Sequence, residues 1–108
     1  MSEQVKAITP FILTLKTLKP KQRKLLLECS SKQQLRALEE ICVNLVKNSV
    51  NLSPNDLRTC RRWRKPLKLL ALKRYPVKMK KRLLQQVGFL GAMLPVIATV
   101  LTNLLGNG

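Results

Sequence analysis

Arg58, Arg61, Arg62 and Lys65 stand at i, i+3, i+4 and i+7, the spacing that brings four side chains onto one face of a helix. Lys78, Lys81 and Arg82 repeat the first three steps of that pattern further along the chain. A guanidinium holds its proton at any physiological pH and presents a planar fork of donors, while an ammonium is a compact point charge. Rows of such groups suit one chemistry, the binding of regularly spaced anions. Phosphodiesters are foremost among these, because their contacts release condensed counterions and so tighten steeply as salt falls. The candidate nucleic-acid-binding set is Arg58, Arg61, Arg62, Arg64, Lys65, Lys68, Lys73, Arg74, Lys78, Lys80, Lys81 and Arg82. Nothing in that spacing implies sequence specificity.

The cations are segregated along the chain. Of 108 residues, 21 are Lys or Arg and 5 are Asp or Glu, a formal charge of +16. Residues 1–52 hold nine basic and four acidic side chains, 53–86 hold twelve and one, and 87–108 hold none of either sign. A merely solvated basic face is normally diluted by acids, and twelve to one is not diluted, so an acidic partner is expected. Arg61-Arg62-Trp63-Arg64-Lys65 and Lys78-Met79-Lys80-Lys81-Arg82 also have the density of nuclear-import patches. Trp63 and Tyr75 lie among the cations, where open rings would stack on bases. Trp63, however, falls on the apolar edge of its helix, and core packing is the expectation for it.

Catalytic chemistry has little to stand on. The chain has no histidine, and its acids are Glu3, Glu28, Glu39, Glu40 and Asp56. Only Glu39 and Glu40 are adjacent, and on a helix neighbouring residues point about 100° apart rather than at one substrate. No glycine-rich phosphate loop or nucleophile elbow is present. Cys29, Cys42 and Cys60 form no C-x-x-C pair and have no histidine to join them, so neither metal nor cofactor is expected. An odd count with no N-terminal signal sequence points to a reducing, intracellular setting, with each cysteine a small buried thiol.

The elements that must position these residues are helices. Aromatic residues make up 4% of the chain, alternating runs are short, and no Asn-Gly or Asp-Gly hairpin turn occurs. Prolines at 10, 20, 54, 66 and 76 read as helix openings or breaks. The expected helices run from about Pro10 to Leu18, Pro20 to Cys29, Lys32 to Lys47, Ser53 across Pro66, Pro76 to Val87 and Phe89 to Leu105. Ser31 with Gln34 has capping-box spacing, and Leu35, Leu38, Ile41, Cys42, Leu45 and Val46 make one apolar stripe behind it. Ser53, Pro54 and Asp56 open the next helix after a connector at Asn48–Leu52, and Leu57, Cys60, Trp63, Leu67, Leu70 and Ala71 carry its apolar spacing past Pro66, as either one kinked helix or two short ones docked on the same core. The fold class expected is all-α, a compact bundle of five or six short helices with an apolar C-terminal helix. Residues 1–86 form the helical domain, its second half, 53–86, being basic, and residues 87–108 form the uncharged end.

That end admits three fates. Gly88 to Leu105 is eighteen residues, at the lower limit for crossing a bilayer. Gly88, Gly91, Pro95, Thr99, Thr102 and Gly106 form a small, weakly polar stripe of the kind that permits close helix approach in membranes. Phe89, Leu90, Met93, Leu94, Ile97, Val100, Leu101, Leu104 and Leu105 cover the rest, and form the candidate membrane or self-association surface. The same side chains equally suit a central core helix, and Pro95 and Asn103 weaken a simple anchor.

The run Gln85-Gln86-Val87-Gly88-Phe89-Leu90-Gly91-Ala92-Met93-Leu94-Pro95-Val96-Ile97-Ala98-Thr99-Val100-Leu101, following a block of Lys and Arg, resembles the basic-then-apolar end of adenovirus precursor core protein X (pre-mu). The pattern from about Leu15 to Leu105 is closer still to the small basic late or core proteins of adintoviruses and Polinton-type elements. The resemblance implies a virion protein that accompanies packaged DNA, present in virion and host nucleus, with a membrane-active part used in entry. Related tails open with two consecutive glycines, whereas here Val87 precedes a lone Gly88, so the pattern for proteolytic maturation at that point is incomplete.

The reading is therefore of a non-enzymatic, sequence-tolerant nucleic-acid-binding protein with double-stranded DNA as its expected partner. An anionic membrane, and a second copy of the chain through the C-terminal helix, are the other partners admitted. A membrane-active protein and a protein-interaction module are the alternative functions. The decisive expectation is that the arginines between Asp56 and Pro66 face solvent and are not paired off with carboxylates.

Overall fold

Two helix starts are set by a serine that caps its own backbone. Ser31 Oγ accepts from Gln34 N at 3.1 Å while Gln34 Oε1 accepts from Ser31 N at 2.9 Å, the full capping box. Ser53 Oγ accepts from Asp56 N at 3.2 Å, with Pro54 at the first helical position and Asp56 in the positive first turn. The computed structural model describes residues 3–47, 50–86 and 88–106, with side chains for all of these but 4 and 104–106. Asn48 and Ser49 of the expected connector, Val87, and the Asn107-Gly108 end lie outside the described residues. The helices are α1 (Glu3–Thr17), α2 (Pro20–Glu28), α3 (Lys32–Val46), α4 (Pro54–Arg62), α5 (Arg64–Ala71), α6 (Val77–Leu84) and α7 (Phe89–Gly106).

The all-helical expectation holds, and no strand occurs among the described residues, but the helices number seven rather than five or six. Two prolines account for the differences. Pro66 has no N–H to give the Arg62 carbonyl and its ring crowds that oxygen, so α4 ends at Arg62. Leu67 N then bonds Trp63 O at 3.1 Å and α5 begins, with Pro66 in its first turn, where a missing donor is harmless. Pro10 does not open α1 but lies inside it. It is exposed, and so is Lys6, whose carbonyl loses its helical donor and can turn to water.

Apolar stripes meet in one core. Val5, Ile8, Ile12 and Leu15 of α1 are buried against α3 and α7, and Leu35, Leu38, Ile41, Cys42 and Leu45 of α3 lie between α1 and α5. Leu67 and Leu70 of α5 and Leu84 of α6 close the floor. The radius of gyration is 12.7 Å, against about 13 Å for a folded domain of this length. The uncharged C-terminal helix is thus included in the packed body.

In α7, Phe89, Leu90, Met93, Leu94, Ile97, Val100 and Leu101 are all buried, packed on α1, α4 and α6. Of the three fates open to this helix, core packing is the one these side chains take here; the side chains of Leu104 and Leu105 lie outside the described residues. The small stripe is turned the other way, with Gly91, Pro95 and Thr102 exposed. Among the described residues no single helix is long and apolar enough to cross a membrane, and α6 and α7 meet at a 98° bend. Gly88 makes that bend with φ +83°, a left-handed conformation that a side chain disfavours.

Candidate nucleic-acid interface

Because Leu57 and Cys60 turn toward the core, the i, i+3, i+4 rule puts Arg58, Arg61 and Arg62 of α4 outside, and all three are exposed. Arg64, Lys65 and Lys68 of α5 are exposed as well, as are Lys73 and Arg74 after it and Lys78 and Arg82 of α6. The arginines between Asp56 and Pro66 therefore face solvent. Lys81 is half-buried, its Nζ donating to the Glu28 carbonyl at the end of α2 at 2.9 Å.

Lys80 departs from the set. Only 3% of it is exposed, and its ammonium donates to Glu39 of α3 inside the molecule. The twelve expected phosphate-binding cations are corrected to eleven. The cause is register. In α6, position 80 shares its helix face with Leu84, four residues on, and that face packs inward.

Few carboxylates compete for the remaining cations. Glu3 takes Lys6 at 3.7 Å and Glu39 takes Lys80, and the chain's other three acids stand against nineteen other cations. Between residues 53 and 86 the one acid is Asp56, held at the start of α4. The field over α4, α5 and α6 is thus positive and carried mainly by exposed cations, Lys80 and Lys81 being engaged within the molecule.

Trp63 forms the joint between α4 and α5. Its ring meets Phe89 edge-on, with centroids 5.5 Å apart and planes at 81°, and the Arg62 guanidinium carbon lies 5.9 Å from its centroid. Trp63 is half-buried against the core, as its position on the apolar edge implied, and its Nε1 is buried without a partner. Tyr75 is also half-buried.

A group of cations outside the sequence-derived set extends this surface. Lys19, Lys21 and Lys24 are exposed and Arg23 is half-buried on or beside α2, which packs against α6. Their signal was present in the sequence, since Lys16 to Lys24 holds five cations and no acid. Averaging over residues 1–52 masked it, because Glu3, Glu39 and Glu40 belong to other helices.

The cysteines divide. Cys42 is buried and its thiol is pushed up to about 12, chiefly by loss of water and, less, by nearby Cys60 and Glu39, with Lys80 opposing. Cys60 is half-buried and also raised, by burial first and Asp56 second. Cys29 is exposed, correcting the expectation of three buried thiols; it caps the C-terminus of α2, where its N–H serves the helix carbonyls. Comparison with protein-family models, with curated proteins and with solved structures finds no match for this chain.

Proposed function

We propose that this chain is a non-enzymatic nucleic-acid-binding protein that grips phosphodiester backbones without reading sequence, double-stranded DNA foremost. One observation carries the reading. Arg58, Arg61, Arg62, Arg64, Lys65 and Lys68 are all exposed on two consecutive helices, in a segment with Asp56 as its single acid. The resemblance to the basic late or core proteins of adintoviruses and Polinton-type elements supports the finer form of this reading, a viral core protein acting in virion and host nucleus.

The test is duplex binding followed by fluorescence anisotropy across a salt series. Binding through phosphates makes log affinity fall linearly with log salt, by about 0.9 per phosphate neutralised. Arg58→Gln, Arg61→Gln, Arg62→Gln and Lys65→Gln together reduce that slope by about 3 to 4 and leave binding indifferent to duplex sequence. Unchanged affinity in the quadruple variant counts against the proposal.

A second reading, an anionic membrane surface, has its own observation. Leu72 and Val77 are 43% exposed and Met79 37%, at the corner between α5 and α6, beside exposed Lys73, Arg74 and Lys78. Exposed apolar side chains interspersed with cations along the chain suit a headgroup layer. This reading uses the corner and leaves α7 in the core. Sedimentation with phosphatidylserine vesicles, lost when Leu72, Val77 and Met79 become Gln, separates it from the first.

A further inference from the structure

The basic surface of α4 has a continuation that its own residues do not supply. Where α6 turns into α7, a groove of about 250 Å³ opens toward α2. This is smaller than the cavities that enclose small molecules, which run to roughly 300–1,000 Å³, and it is open to solvent. Arg23 and Lys24 of α2 line it, together with Gln85 and Gln86, which follow α6. Gly88 and Gly91 complete it. Leu27, Leu84 and Leu90, all buried, form its floor.

Three features fit this groove to a phosphodiester strand. First, two cations and two glutamines line it, and both kinds of side chain can donate to phosphate oxygens. Second, the walls are fixed to each other and to the body. Lys81 Nζ ties α6 to the end of α2 through the Glu28 carbonyl, and Arg23 Nε donates to the Leu15 carbonyl of α1 at 2.9 Å. That bond uses the Nε donor of a guanidinium that has five donors in all. Third, the glycines leave the backbone bare. A Cβ on Gly91 would meet nothing within 4 Å, and one on Gly88 would meet only the Trp63 ring, at 3.8 Å.

The Trp63 contact joins the two surfaces. Arg62 lies over one part of the indole and Gly88, at the groove's end, lies against another. Trp63 thus neighbours both Arg62 of α4 and Gly88 of the groove.

We infer that this groove is a second phosphodiester seat, so that one nucleic-acid backbone bound on α4 continues between α2 and the α6–α7 joint, held by Arg23, Lys24, Gln85 and Gln86. The inference rests on the proposed nucleic-acid function and extends its footprint to a helix outside residues 53–86.

The experiment compares charge-matched variants of the full chain in the same salt series. Arg23→Gln with Lys24→Gln removes two cations at the groove; Lys6→Gln with Lys32→Gln removes two from α1 and α3. The groove pair is expected to lose about tenfold in duplex affinity at 50 mM salt and about 2 in slope, relative to the control pair. Because Arg23 also holds α1, a second comparison guards against a folding defect. Gly91→Glu places a carboxylate on the groove rim in open space, and is expected to bind several-fold more weakly than either Gly91→Gln or Lys6→Gln. Equal binding of the groove and control variants in both comparisons overturns the groove while leaving the α4 reading intact. Absence of salt-dependent binding in the unmodified chain overturns the α4 reading itself.

Discussion

Lys80 of α6 donates its ammonium to Glu39 of α3, forty-one residues earlier, in a pair that water barely reaches. Removing two charges from water is expensive, and their attraction repays it only while both are present. Lys80→Met leaves Glu39 as an uncompensated, mostly buried carboxylate and is expected to cost about 3 kcal/mol of stability, and Glu39→Leu a similar amount. The double substitution puts apolar groups of similar length face to face and should recover most of either loss. A urea-unfolding double-mutant cycle checks this, and simple additivity of the two losses would show that the pair is not coupled. Since Lys80 does not reach solvent, a stability-neutral replacement of the pair should leave duplex affinity unchanged.

The two described glycines at the head of α7 should respond to alanine in opposite directions. Gly88 has φ +83°, where a Cβ strains the backbone, so Gly88→Ala is expected to destabilise by about 1–2 kcal/mol. Gly91 lies within the helix with open space around its Cβ position. Gly91→Ala removes unfolded-chain freedom without a clash and should stabilise by about 0.5–1 kcal/mol. Denaturant midpoints of the two variants decide it, and a loss at both positions would mean that the α6–α7 corner is not as described.

The thiols set an alkaline limit. Cys42 has its folded value raised from the ordinary 9.0 to about 12, so between those values the unfolded chain gives up a proton that the folded chain keeps. Folded stability is therefore undiminished by this group below about pH 9 and declines as pH rises toward 12. Cys42→Ala should flatten that decline relative to the unmodified chain. Native-state labelling with a thiol reagent near pH 8 should follow exposure, Cys29 first, Cys60 slower and Cys42 only through opening of the core. Labelling of Cys42 at the rate of Cys29 would contradict its burial.

Helix starts were legible wherever a side chain bonds its own backbone. Ser31 with Gln34, and Ser53 with Pro54 and Asp56, announce themselves in four residues. The stripe of α3 was legible from Leu35 to Leu45, but Val46, expected to continue it, is exposed at the helix end, and Ala37 joins the buried side. What local pattern leaves open is which side of a proline faces water. Pro10 and Pro95 both sit inside helices, both exposed, and Thr14 and Thr99, four residues on, each donate a hydroxyl to the proline carbonyl, at 2.8 and 3.0 Å. Composition likewise could not choose among the fates of α7, since lipid and protein interior select the same side chains; packing against α1 settles where they lie. The basic face was legible as a segment. Its exception at Lys80 depends on a partner on another helix, and its extension to α2 on a contact that sequence order does not reveal.

Trp63 lies close enough to cations to invite a base-stacking role, and its environment argues for packing instead. The ring is set edge-on to buried Phe89, and its Nε1 has lost water without gaining an acceptor. A buried donor in that state costs about 1–3 kcal/mol, so deleting it offsets part of what a smaller ring forfeits in contact area. Trp63→Phe is therefore expected to change stability by less than about 1 kcal/mol, while Trp63→Ala, which vacates the joint between α4 and α5, should cost about 3 kcal/mol. Affinity discriminates the two roles. If the indole packs, Trp63→Phe binds duplex and single-stranded DNA as the unmodified chain does. If it stacks on bases, that change should weaken single-strand binding selectively, because stacking contributes about 1–3 kcal/mol per base and a smaller ring retains only part of it. Anisotropy titrations on both DNA forms therefore separate a tryptophan that holds the basic helices in place from one that touches the ligand.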